Sequence, residues 1–188
     1  YCVGVCEKEG YECKLVDCIT KAYSIEDTIE EVNEYEPDYI MAEITTPTCA
    51  YDYKVINAIK KAYPKAKIMI GGTHATILPD AVLKECLGID YILRQEYDYT
   101  VGELIASDDA STVKGVSYRV NSDGVDIASL DDVNLLSDSI DFTVEHTEDR
   151  EPLEDLDSLP YVSKVYQKYL NFDDYAYAFA QKPMIQIV

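Results

Sequence analysis

The chain is short of cations, histidine, tryptophan and long apolar runs. It carries 16 Lys and Arg against 36 Asp and Glu, a net charge of −20. A surface that reads nucleic acid needs clustered Lys and Arg, so DNA and RNA are not expected partners. No apolar run approaches the ~18 residues that a membrane-crossing helix needs, and no signal peptide is visible. A membrane partner is therefore not expected, and the location reads as cytoplasmic. Histidine occurs twice, as His74 and His146, and none of the six cysteines (Cys2, Cys6, Cys13, Cys18, Cys49, Cys86) has CxxC spacing. That excludes the usual zinc patterns, so no metal ligand set is expected. The cysteines read as reduced thiols of a cytosolic protein, which suits an anaerobic one.

What remains is a chain of 188 residues, 47% of them hydrophobic. That is enough for one good-sized domain, or a domain with an appendage. There are 17 tyrosines and no tryptophan; tyrosine is amphipathic, so many should sit half-buried.

From Tyr11 to Ala106 short apolar runs alternate with amphipathic segments. "CKLVDC" (13–18) predicts a strand and "SIEDTIEEVNEYE" (24–36) a helix, with Ser24 and Asp27 as a capping box and Pro37 as its stop. "DYIMAEI" (38–44) predicts the next strand. "YDYKVINAIKKAY" (51–63) predicts a helix with Val55, Ile56, Ile59 and Ala62 inward and Lys60 and Lys61 outward. "KIMI" (67–70) and "DYILR" (90–94) read as strands, "PDAVLKECL" (79–87) and "YTVGELIA" (99–106) as helices. The opening "YCVGVC" fits either a strand or the start of a helix.

Such alternation with short connections predicts a parallel sheet covered on both faces, a doubly wound α/β domain. Ligands then bind beyond the carboxyl ends of the strands, where strand order reverses. Three polar rims lie at such ends: "EITTPT" (43–48) with Thr45, Thr46 and Thr48; "GGTHAT" (71–76) with Gly71, Gly72, Thr73, His74 and Thr76; and "RQEYDYT" (94–100) with Glu96 and Asp98. Glycines at a strand end let a flat ligand approach the backbone, and hydroxyls offer hydrogen bonds. The same residues also suit plain turn geometry and helix capping. Neither a GxGxxG nor a Walker A loop is present.

After Ala106 the character changes. "GVSYRV" (115–120) and "VDIA" (125–128) predict a β-hairpin turning through Asp123-Gly124. Residues 121–160 hold 13 acidic side chains against one Arg, Arg150, which predicts a solvated, loosely ordered segment. "PLEDLDSLPY" (152–161) reads as a linker docking by its leucines, "VSKVYQKYL" (162–170) as a helix and "KPMIQIV" (182–188) as a strand that begins a further domain.

The ordered run "GYECKLVDC", "EPDYIMAEITTPT", "INAIKKAYPKAKIMIGGTHATILPDAVL", "IDYILRQEYDYTVGEL", "VKGVSYRV" and "EPLEDLDSLP" resembles the N-terminal cobalamin-binding region of cobalamin-dependent radical SAM enzymes. The resemblance covers nearly the whole chain. It implies a flavodoxin-like (Rossmann-like) sheet whose first strand lies upstream of Tyr1. Residues 1–110 would form the cobalamin-binding domain, 111–130 a β-hairpin extension, and 131–188 an acidic linker and the start of the radical SAM domain. The implied cofactor is cobalamin, its dimethylbenzimidazole tail lined by Thr45, Thr46, Gly71 and Gly72, with Thr73, His74, Thr76 and Glu96 nearby.

S-adenosylmethionine and a four-iron four-sulfur cluster would belong to the next domain, since no cysteine follows Cys86. No catalytic residue is expected within this chain. Where the family carries RGEGE, this sequence has Arg94-Gln95-Glu96-Tyr97-Asp98, so Tyr97 would crowd a backbone approach. The histidine-on motif DxHxxG is absent, which leaves His74 as a tail-side, rim or structural residue ahead of a cobalt ligand. Two other readings stand beside this one. A receiver-like regulator would use Asp17 or Glu43 as part of an acidic pocket, and a non-catalytic interaction domain would use the acidic segment to hold a basic partner.

Overall fold

The computed structural model describes residues 1–107, 109–121, 123, 124, 126 and 141–175. The expected strand at 182–188 lies outside them, as do residues 125, 127 and 128 of the expected hairpin's far arm at 125–128. Among the described residues five strands form one sheet in sequence order: β1 (Tyr39–Glu43), β2 (Lys67–Gly71), β3 (Tyr91–Leu93), β4 (Val116–Asn121) and β5 (Phe142–His146). The first three run parallel, and β4 and β5 are antiparallel to their neighbours. Seven helices accompany them among the described residues: α1 (Cys2–Lys8), α2 (Ile25–Tyr35), α3 (Cys49–Ala62), α4 (Thr73–Ile77), α5 (Pro79–Glu85), α6 (Thr100–Ala106) and α7 (Val162–Tyr169).

The two-residue period of β2 explains the layering. Ile68 and Ile70 point to one face and pack with Tyr53, Ile56 and Ile59 of α3 and Val82 and Leu83 of α5. Met69 points to the other, with Cys6 of α1 and Val101 and Leu104 of α6. Both faces are covered, so the inner strand is apolar throughout rather than alternating. This is the flavodoxin-like α/β architecture expected from the sequence. The helix signals hold locally too: the Ser24–Asp27 capping box starts α2, and Glu36, left-handed at φ 53°, ends it before Pro37.

Several expectations need correction. Residues 13–18 form no strand. Among the described residues none pairs with the outer edge of β1, so this segment has no ladder to join. For the same reason the strand order runs without the expected reversal. The opening residues settle as helix α1, seated on α6.

Lys60 is not outward. It is 3% exposed and donates to Asp90 Oδ2 at 2.7 Å and to the Ala66 carbonyl at 2.8 Å. Ala62 is exposed rather than inward. The acidic stretch is not uniformly loose either, because Phe142–His146 pairs with β4 over five residues. Of the expected hairpin, the described residues show the first arm as β4 and an antiparallel bridge from Val120 to Asp126. In the 152–161 segment Leu153 and Leu159 are half-buried while Leu156 stays exposed, so only part of the expected leucine contact is made.

Two arginines join the antiparallel strands to the parallel ones. Arg94, just beyond β3, donates to the Val116 carbonyl (2.6 Å), Ser117 Oγ (2.5 Å), the Thr147 carbonyl (2.6 Å) and Asp149 Oδ1 (2.8 Å). Arg119 of β4 donates to the carbonyls of Leu83 (2.9 Å), Leu87 (3.1 Å) and Ile89. A planar guanidinium presents five donors in a fixed fork, so each of these side chains satisfies several carbonyls at once.

Candidate functional site

The carboxyl ends of β1, β2 and β3 bring together the loops at 44–48, 71–76 and 94–98. Parallel register places Glu43 opposite Gly71, and Ile44 N–H donates to the Gly71 carbonyl at 3.3 Å. Each glycine is needed for its own reason. Gly72 has φ 100°, and a Cβ there would lie 2.9 Å from the Ile44 carbonyl oxygen. A side chain would be both strained and blocked. Gly71 has an ordinary backbone, but a Cβ would lie 2.7 Å from Tyr97 Cε1, 2.8 Å from Tyr97 Cζ and 2.8 Å from Met41 Cε. Its hydrogen is the condition for the Tyr97 ring lying where it does.

Tyr97 is held there by its hydroxyl, which donates to Glu43 Oε1. Burial, and then the carboxylate that accepts its proton, push the phenol far above its usual pKa, so it stays a donor. Tyr97 and Glu43 thus span the end of the sheet from β3 to β1.

The hydroxyl rim divides into three pairs. Thr45 Oγ1 and Thr48 Oγ1 lie 2.9 Å apart, and Thr48 donates onward to Asp52 Oδ2 at 2.6 Å. These two brace the first turn of α3. Thr46 Oγ1 meets His74 Nδ1 at 3.0 Å, and Tyr53 Oη lies 3.5 Å from His74 Nε2. His74 therefore ties the loop after β1 and helix α3 to the short helix α4. Thr76 Oγ1 accepts the Gln95 N–H at 3.0 Å, joining the second loop to the third. Gln95 needs that support, since its φ of 60° is left-handed. Thr73 is exposed at the first position of α4.

Glu96 faces away from this cluster. Its carboxylate accepts the Leu153 N–H at 2.5 Å and lines a separate cleft with Asp98, Tyr99, Arg150 and Pro152. Seven of the eight residues singled out in the sequence thus belong to the β1 and β2 loops, and Glu96 belongs to the third. The sequence places Glu43 at the first rim but gives no sign of Tyr53 or Met41 beside it, nor of Tyr97 as the partner of Glu43. Glu43 and Tyr97 are 54 residues apart, and no local pattern joins them.

Of the two acids named for the receiver-like alternative, Glu43 ends β1 and is engaged by Tyr97. Asp17 lies at no strand end but in a turn, accepting Thr20 N–H and Thr20 Oγ1 (both 2.9 Å) and Tyr175 Oη (2.8 Å). All six cysteines are unpaired. Among the described residues no group of His, Cys, Asp and Glu is arranged to hold a metal ion. No helix there is long and apolar enough to cross a membrane.

A helix-flanked sheet with glycine and hydroxyl loops at its carboxyl edge is an α/β domain of the class that takes ligands at that edge. The chain belongs to the B12 binding domain family, whose model matches residues 1–105. Cobalamin is therefore its cofactor. Among curated proteins it is similar to an uncharacterized methyltransferase of Pyrococcus horikoshii, 25% identical over 61% of this chain and 26% of that one. It is also similar to the anaerobic magnesium-protoporphyrin IX monomethyl ester cyclase of Cereibacter sphaeroides, 28% identical over 69% and 22%. The cyclase of the same name from Rubrivivax gelatinosus is 26% identical over 63% and 23%. The chain thus spans about a quarter of the length of these relatives.

Against that cofactor the donor set fits and the space beside Gly71 does not. Hydroxyls, a histidine and a glycine floor suit a nucleotide tail. In this conformation, however, the Tyr97 ring already lies against the floor.

Proposed function

We propose that the chain is the cobalamin-carrying module of a larger cobalamin-dependent radical SAM enzyme. The observation that carries this reading is the family match over residues 1–105 together with hydroxyl- and glycine-bearing loops at one edge of the sheet. The magnesium-protoporphyrin cyclases among the relatives support an anaerobic setting.

Cobalamin supplies a cobalt centre that carries a methyl group or takes part in one-electron chemistry. This chain's part is binding and orientation. Thr45, Thr46, Gly71, Gly72, Thr73, His74 and Thr76 border the tail, with Glu96 at the outer end of the third loop. His74 holds the first two loops at a fixed spacing through Thr46 and Tyr53. The S-adenosylmethionine, the iron–sulfur cluster and the substrate belong to a radical SAM domain of the same polypeptide.

The test is incubation of the 188-residue chain with hydroxocobalamin, followed by gel filtration. The reading expects corrin absorbance to travel with the protein. A protein peak without it overturns the assignment of these loops.

A further inference from the structure

The disagreement between cofactor and space is specific to one side chain. Tyr97 lays a flat aromatic ring against Gly71, on the sheet face covered by α1 and α6, and fastens it by its hydroxyl to Glu43 at the end of β1. A planar heterocycle brought to Gly71 would need that same volume, since the position of one extra carbon is already within 2.8 Å of the ring. We infer that Tyr97 is a specificity-determining plug: its ring holds the slot beside Gly71 and competes with the heterocyclic base of the cobalamin tail for it. This inference rests on the proposed site and adds what decides how the tail is accommodated there.

Two consequences follow from competition for one volume. Binding that inserts the base must first break the Tyr97–Glu43 hydrogen bond, so the intrinsic affinity is scaled down to the fraction of molecules whose ring has left the slot. Binding that needs no base, through the corrin alone, leaves the ring undisturbed. The chain thereby distinguishes corrinoids by their lower nucleotide rather than by their ring.

The experiment measures dissociation constants of the 188-residue chain, by absorbance titration, for hydroxocobalamin and for cobinamide, which has the corrin but no base. Wild type, Tyr97→Phe and Tyr97→Ala are compared, with circular dichroism as the check on folding. Tyr97→Ala should bind cobalamin about ten- to a hundredfold more tightly than wild type, Tyr97→Phe should gain less, and cobinamide should bind all three alike. Equal gains for both corrinoids, or no gain for cobalamin in folded variants, overturn the plug while leaving the site reading intact. If Tyr97→Ala does not fold, Tyr97→Phe decides: a gain confined to cobalamin supports the plug and no gain overturns it. Failure of both corrinoids to bind any form overturns the site and the plug together.

Discussion

Thr46 and His74, 28 residues apart in sequence, meet at 3.0 Å between hydroxyl and imidazole. The contact fixes the spacing of two loops that hold most of the candidate site. Because Tyr53 approaches the second ring nitrogen at 3.5 Å, both nitrogens of the imidazole have protein neighbours.

His74→Ala should therefore loosen the loops without altering the coordination of cobalt. A hydrogen bond of this kind contributes about 1 kcal/mol, which corresponds to roughly a fivefold loss of cobalamin affinity. His74→Asn, which keeps a polar group near Thr46, should recover part of it. Absorbance titration gives the affinity, and the spectrum of the bound corrin should be the same for all three proteins. A spectrum that depends on the histidine would mark His74 as a cobalt ligand instead.

The Lys60–Asp90 pair should prove the most damaging polar contact to break. Asp90 is 2% exposed and also accepts the Ile68 N–H at 2.6 Å. It thus ties α3 to the start of β2 and the approach to β3. Burial holds the Lys60 ammonium below its usual pKa, opposed by the carboxylate beside it. Asp90→Ala leaves that cation unpaired and should cost about 3–5 kcal/mol, read as a lower urea midpoint. The double variant Lys60→Met, Asp90→Leu should recover much of the loss, since an apolar pair removes the stranded charge.

Asp17 should give the chain an acid-sensitive anchor. Burial pushes its carboxyl up, but hydrogen bonds from Thr20 and Tyr175 outweigh it and hold the pKa below the usual carboxylate range. The stabilisation is full above the unfolded value, about pH 4. It is lost as pH falls through the lowered folded value. Asp17→Asn should flatten that acid limb. Unfolding midpoints of the two proteins, measured between about pH 5 and pH 2, should converge at the acid end.

The helices and strands that local pattern announced are those whose partners are also local in the sheet. β2 is legible because three consecutive apolar residues, Ile68 to Ile70, end at a glycine, and α2 because its capping box is written in its own residues. Lys60 escapes the sequence pattern because a charged side chain is ordinarily a solvent-facing one. Its spacing from Tyr53 and Ile56 puts it on the same helical stripe, and only Asp90, 30 residues on, explains its burial.

β5 was hidden by its acidic surroundings. Its β-branched and aromatic residues carried a strand signal that counts only once β4 lies beside it. In the candidate site, Gly72 was legible as a backbone requirement. Gly71 was not: its freedom from a side chain serves Tyr97, a contact that only the folded sheet creates. Gln95 shows the converse, a position of left-handed backbone filled by a residue with a side chain, at a cost of about 1 kcal/mol.

The anchoring of the third loop sets the tempo of the site. Arg94 is bolted to β4 and to the segment after β5, Gln95 to Thr76, and Glu96 to the backbone of Leu153. On the far side the Tyr97 carbonyl accepts the Val101 N–H at 3.2 Å. With the main chain clamped on both flanks, the aromatic ring can leave its berth only by pivoting about its own side-chain bonds. Such rotamer changes are quicker than the refolding of a loop, so the ring can yield its place without the third loop coming loose.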